Sequence, residues 1–265
     1  MPVTRTIWKS PFTLENVPQW TCPVCHKGIL KGDKTTIKVF ENEASKRAHD
    51  NENWEPEWVS GSYIGHLICN NDSCGESIAS IGIMMVESDY YFDKDGQEQY
   101  TYSQFLYPKS FIPALQPFKV SEEIPSLIRT AIISSFDIYW IDTSSCGNKI
   151  RVIAERIMDD QSIPKTYIDN HKKRRSYPLH RRINFFEKIH PNEARLLMAI
   201  KWIGNFGSHQ SESLTLDDLL DAYELLEHVT NSLYARKEAE RIKRLSKEIL
   251  KRKKPRGVRI KKKRK

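Results

Sequence analysis

The chain has 265 residues, 39% hydrophobic and 29% charged, enough for one large domain or two modest ones. Its longest strongly apolar run, residues 81–86, is far below the ~20 residues a membrane helix needs, so no membrane partner is expected. The 42 Lys/Arg outnumber the 34 Asp/Glu for a net +8, but residues 236–265 alone carry 17 of the cations and 3 of the acids, net +14, which leaves the preceding body at −6.

Along the chain, residues 18–107 alternate short apolar runs with turn residues. Two tight cysteine pairs, Cys22-Pro-Val-Cys25 and Cys69-Asn-Asn-Asp-Ser-Cys74, punctuate this stretch. A short spacer lets one turn present two thiolates to a single ion. Two such turns complete a tetrahedral four-sulfur site with no position open to substrate, the form of a structural zinc centre with one Zn2+ held by Cys22, Cys25, Cys69 and Cys74. The rival reading is two disulfides. Five cysteines, an odd number, and an N-terminal Met-Pro-Val-Thr-Arg without the apolar run of a signal peptide favour reduced thiols and a cytoplasmic location. His26 and His66 stand near the cysteines as alternative ligands, and Cys146 is left over as a buried thiol on a helical stripe.

Residues 34–40 have strand composition, residues 77–86 read as a largely buried strand, and Asp93-Lys-Asp-Gly96 predicts a hairpin turn. The residues between the pairs exceed what a minimal ribbon needs, and the excess falls in the polar stretch 41–58. Residues 108–120, with Pro108, Pro113 and Pro117, read as a linker.

Beyond it the apolar period changes from two to 3.6. Helices are predicted from Ser121, over 146–157, 179–189 and 191–203, and in a long element opened by Thr215 and Asp218 in the manner of a capping box. The predicted fold class is α+β: a four-cysteine β module over 18–107, a linker over 108–120, an all-α bundle over 121–235 and a basic tail over 236–265.

The cysteine motifs, the Tyr107-Pro108 step, Arg151-x-x-x-Glu155 on a helix and Gly204-Asn205-x-x-x-His209 before the last helix resemble a prokaryotic domain family of unknown function. That family occurs alone or fused to restriction-type nuclease and helicase subunits, and the resemblance spans about residues 20–235. It implies an association with defence systems. The helical half in turn resembles the HEPN superfamily, whose active members are metal-independent ribonucleases working as a pair across a dimer with an Arg-(polar)-x-x-x-His pattern. Aligned on Asn205 and His209, the arginine position holds Gly204, which cannot stabilise charge on a scissile phosphate. Lys201 lies one turn earlier.

The site candidates each have a plainer reading. His209 suits general acid/base work, or it ties down a loop after a helix closed by glycines with positive φ. Arg151 and Glu155 act beside it, or form an ordinary intrahelical ion pair. Lys172, Lys173, Arg174 and Arg175 with Arg181 and Arg182 grip a phosphate backbone, or form a solvated loop. Lys251, Arg252, Lys253 and Lys254 open a polycationic end that binds nucleic acid without sequence choice, or merely solubilises.

Three functions follow as expectations. The first is a zinc-stabilised nucleic-acid-binding module, with a homodimer formed through the helices. The second is a HEPN-type ribonuclease using His209 and Asn205 with Lys201 or Arg151, and the third is a dimeric protein-binding scaffold.

Overall fold

The computed structural model describes residues 5–92, 94–209 and 214–252, without the side chains of 89, 91, 207–209 and 235–241. The chain is a mixed α+β protein whose antiparallel sheet comes first and whose helices follow. A one-turn helix α1 (Thr6–Lys9) precedes β1 (Leu30–Gly32), β2 (Lys38–Glu41), the short α2 (Glu43–Ala48), β3 (Ser60–Cys69), β4 (Ser77–Phe92) and β5 (Glu98–Ile112). β1 and β2 share one edge of β3, pairing with its two ends, and β4 and β5 follow on the other side. Residues 12–21 run from the far edge, where Phe12 pairs with Leu106, back to the near one, where Thr21 pairs with Ile29. The expected hairpin closes with Phe92 opposite Glu98.

Three local expectations differ from the structure. β4 alternates instead of being buried throughout: Ile78 and Met84 are core residues, whereas Ile81, Ile83 and Met85 face outward, because an antiparallel sheet is covered here on one side only. The stretch read as a linker begins as strand, since Pro108 lies in β5 opposite Gly82 at a register shift, where a proline without an N–H is tolerated. The helix expected at Ser121 starts later, as α3 (Ser126–Phe136). Pro125 has an extended ψ of 137° and holds Ile124 out of the helical region as well.

The remaining helices are α4 (Thr143–Asp160), α5 (Leu179–Glu187), α6 (Pro191–His209) and α7 (Leu216–Arg252), with a small hairpin of β6 (Thr166–Ile168) and β7 (Arg174–Ser176) between α4 and α5. The capping box at α7 is formed: the Thr215 N–H donates to Asp218 Oδ2 at 2.8 Å and the Asp218 N–H to Thr215 Oγ1 at 3.2 Å. Tyr223 is fully buried and ties three helices together, donating to Ser135 Oγ at 3.0 Å and lying 3.1 Å from Cys146 Sγ.

Sheet and helices share one core. Trp8 of α1 stacks on Trp140 at 5.4 Å, and Trp140 meets Phe111 of β5 at 4.9 Å and Trp20 at 6.4 Å. Trp20 also packs edge-on against Phe12 and donates its indole N–H to the Ile7 carbonyl at 2.8 Å. Because Trp20 is 1% exposed, Trp20→Ala is expected to cost about 3–5 kcal/mol. Since the rings join both halves, tryptophan fluorescence and far-ultraviolet circular dichroism of the wild type should report one coincident unfolding transition.

Candidate metal centre

The hairpin Trp20–Leu30 and the β3–β4 turn bring the two cysteine pairs together. Backbone bonds set the first turn: the Cys22 N–H donates to the Gly28 carbonyl at 2.8 Å and the His26 N–H to the Cys22 carbonyl at 3.0 Å. His26 takes φ 53° to close it. The second turn closes with the Cys74 and Gly75 N–H groups on the Asn71 carbonyl at 2.7 and 2.9 Å, and Gly75 has φ +57°. The Ile29 N–H donates to Asn70 Oδ1 at 2.7 Å and fastens one turn to the other.

All four Sγ atoms lie within 4.8 Å of one another. Cys22 and Cys74 are 4.0 Å apart and Cys25 and Cys69 3.7 Å apart. Four sulfurs at ~2.3 Å from a tetrahedral ion stand about 3.8 Å from each other, so the arrangement is compatible with a zinc ion. A disulfide needs ~2.05 Å, and all five cysteines are free. Gly28 is required by close approach: a Cβ there would fall 2.4 Å from Cys69 Sγ and 2.9 Å from Asn71 Cβ.

The electrostatics suit a cation. N–H groups of Gly28 and Lys27 hold the Cys25 thiol down at about 6, and Asn71 Nδ2 adds a contact at 3.6 Å. Burial pushes the Cys69 thiol up to about 12, so without a metal that thiol stays protonated, and an ion has to displace its proton to bind. His66 is engaged elsewhere, its Nδ1 2.8 Å from Ser77 Oγ. Cys146 is buried, and burial raises its thiol to about 11.

The other candidates are scattered. Arg151 pairs with Glu155 at 3.1 Å. Lys201 is buried to 8% exposure with its ammonium 3.6 Å from the Trp202 ring centre. Asn205 is half-buried near the end of α6. His209 is the last residue of α6, and its side chain lies outside the described residues.

Gly204 is not a loop glycine with positive φ. It sits inside α6, which continues past it, and a Cβ at 204 would fall 2.6 Å from Arg151 Cβ and 2.8 Å from the Gly147 carbonyl oxygen. Gly147 and Gly204 are where α4 and α6 cross.

In the basic cluster, Lys172, Lys173, Arg174, Arg175 and Arg181 are exposed on the β6–β7 hairpin and the start of α5. Arg175 is held by Asp169 at 3.0 Å. Arg181 lies 5.6 Å from the Tyr177 ring centre, and Tyr177 stacks on Tyr167 at 4.6 Å. Arg182 faces inward, with its guanidinium 2.7 Å from Asp159 and donating to the Ile163 carbonyl at 3.1 Å. Lys251 and Arg252 end α7, and Lys253 and Lys254 lie outside the described residues.

A glycine beside each cysteine pair, Gly28 and Gly75, is a signal the sequence carries, whereas sequence patterns alone do not disclose Asn70 and Asn71 as supports of the cysteine cluster. Their adjacency to the cysteines is the available signal. Among the described residues no helix is long and apolar enough to cross a membrane.

A family model described as Domain of unknown function (DUF8608) matches residues 10–111, and one described as Domain of unknown function (DUF4145) matches residues 134–255. The first covers the sheet with the cysteine cluster, the second most of the helices. No curated protein and no solved structure matches the chain.

Cys69→Ser removes one of four ligands. It is expected to lose the bound metal, measured by elemental analysis of protein purified without chelator, and to lower the melting temperature, because binding energy at such a site is folding energy. A wild-type protein without stoichiometric metal would show that the thiols pack as a metal-free cluster.

Proposed function

We propose that this chain is a nucleic-acid-binding module whose N-terminal half is stabilised by one structural zinc ion. The observation that carries the nucleic-acid reading is the disposition of cations. Four exposed basic residues gather on one small hairpin and a fifth, Arg181, stands at the start of α5 beside stacked tyrosines, and a net +14 follows the mildly acidic body in residues 236–265. Phosphate contacts from such groups release counterions and do not read sequence. Zinc is favoured over other metals by four thiolates and tetrahedral spacing. A place in prokaryotic defence, as a binding partner of an effector enzyme in the cytoplasm, rests on the motif resemblance alone.

The binding test is salt dependence. The full chain should bind single- and double-stranded nucleic acid with affinity falling steeply as salt rises and with little sequence preference. Deleting residues 251–265 should weaken binding and flatten the slope of log affinity against log salt. Equal affinity and slope in the truncated protein would remove the tail from the mechanism.

One observation favours a second reading, a HEPN-type metal-independent ribonuclease. Arg151 packs directly against Gly204, so a guanidinium from α4 stands beside the position that the motif assigns to arginine on α6. In this reading Arg151, oriented by Glu155, supplies positive charge at the phosphate, and His209 with Asn205 handles the proton and the ribose. Lys201 is a weaker source of that charge, being buried against Trp202. His209→Ala and Arg151→Ala should each abolish divalent-metal-independent cleavage of RNA while leaving the circular dichroism spectrum intact. Absence of cleavage by folded wild-type protein on structured and single-stranded RNA leaves the binding module as the function.

A further inference from the structure

The hairpin β6–β7 forms a sheet separate from the main one. Tyr167 pairs opposite Arg175, and the Tyr177 N–H extends the ladder to the Lys165 carbonyl at 2.8 Å. Residues opposite one another share a face, as do residues two apart along a strand, so Tyr167, Arg175 and Tyr177 lie on one side. Asp169 closes the turn: its Oδ1 accepts from the His171 and Lys173 N–H groups at 2.9 and 2.8 Å, and its Oδ2 from Arg175 Nε at 3.0 Å. Residues 165–181 hold six Lys/Arg and this one acid, net +5. Asp169 takes up Arg175, and Asp159 takes up Lys165. That leaves Lys172, Lys173, Arg174 and Arg181 exposed, without an ion pair among the described residues.

The same face carries a stack of rings. Tyr177 meets Phe185 of α5 edge-on at 5.2 Å, and Phe185 packs against the core, so the stack has a fixed base. Tyr167 lies on Tyr177 with the ring planes 26° apart. Tyr177 covers one face of Tyr167, yet Tyr167 is still 40% exposed, so a further flat group can extend the stack. Cross-strand tyrosines stabilise a hairpin, but that role needs neither an open outer ring nor cations around it.

We propose that the β6–β7 hairpin is a site for single-stranded nucleic acid, in which a base stacks on Tyr167 while Lys172, Lys173 and Arg181 hold the flanking phosphates. The site rests on the nucleic-acid-binding role and narrows it to one hairpin and one form of the ligand. A duplex buries its base faces against one another and offers only phosphates and base edges, whereas a single strand offers π-faces to an aromatic ring. Residues 236–265 contain no Phe, Trp or Tyr, so the basic tail attracts phosphate but has nothing on which a base can stack. The β4–β5 hairpin exposes Phe92 and Tyr100, but residues 87–98 hold five acids and one lysine and repel phosphate. Among these surfaces only β6–β7 joins an open ring to positive charge.

The test uses the full chain with a short single-stranded DNA, its duplex, and the same strand made of abasic sites. DNA lacks the 2′-hydroxyl, so a ribonuclease activity does not consume the probe. Tyr167→Ala should weaken binding of the single strand by about 5- to 150-fold at every salt concentration, without changing the salt slope, and should leave duplex affinity unchanged. Tyr167→Phe, which keeps the ring, should bind as the wild type does. Lys172→Gln with Lys173→Gln should instead flatten the single-strand slope by about 1.4, or ~0.7 per phosphate contact. The abasic strand should bind the wild type as weakly as the intact strand binds Tyr167→Ala. A strand carrying 5-iodouracil should photo-cross-link to Tyr167, located by mass spectrometry of the peptides. Duplex affinity and circular dichroism check that the hairpin of Tyr167→Ala still presents its cations. Equal loss of single strand and duplex in Tyr167→Ala, no loss of either, an abasic strand bound as tightly as the intact one, or cross-links confined to other residues would each overturn the proposal while salt-dependent binding by the tail stands. A chain that binds none of the three probes would overturn the nucleic-acid reading as well.

Discussion

Packing at Trp20 is the constraint on which both halves of the molecule depend. Its ring sits between Phe12, Phe111 and Trp140, so it belongs to the sheet and to the helical core together. Its backbone belongs to the cysteine hairpin: the Trp20 carbonyl accepts from the Leu30 N–H at 2.9 Å, and Cys22 follows two residues later. A metal that closes that hairpin therefore also sets the ring on which the helices rest. Aromatic pairs contribute about 0.5–1.5 kcal/mol beyond their area, and here several share one ring. The four-cysteine cluster thus supports more than its own turn, although it offers no open coordination position for chemistry.

A second constraint is the crossing of α4 and α6 at Gly147 and Gly204. Two glycines let the backbones approach, and the Arg151 stem packs into the space a side chain at 204 would need. A side chain at 204 and the present α4–α6 contact exclude each other. Packing thus fixes the glycine that the resemblance sets at its arginine position, and in the proposed ribonuclease reading the charge has to come from Arg151 or Lys201 instead.

Much of this architecture was legible in the sequence because its signals are local. Cysteine spacing marked the two turns, the change of apolar period marked the boundary between sheet and helices, and Thr215 with Asp218 marked the start of α7. What escaped depends on distant contacts. Trp8, Trp20 and Trp140 lie far apart in sequence, and nothing local predicts that they meet. Gly204 resembled a helix terminus because Gly-Asn-Phe-Gly is a common stop, but tertiary contact with α4 overrides that preference. Arg182 read as one of six cations in a run, and only the fold turns it inward to Asp159. The candidate nucleic-acid surface is correspondingly one residue smaller than the run suggested.

The charge split within α7 separates core from solvent along one helix. Its first half, with five acids and no Lys or Arg, packs in the core, and its second half, net +5, carries Ile242, Ile249 and Leu250 at 48%, 48% and 69% exposure. A helix that begins in the core and ends in solvent transmits its direction rigidly, so the body of the protein fixes where the cations of 236–252 start. In the proposed binding role, cations carried on a helix lose less conformational freedom at a phosphate backbone than cations on a flexible chain, so the helical part of the basic segment contributes affinity at a smaller entropic cost.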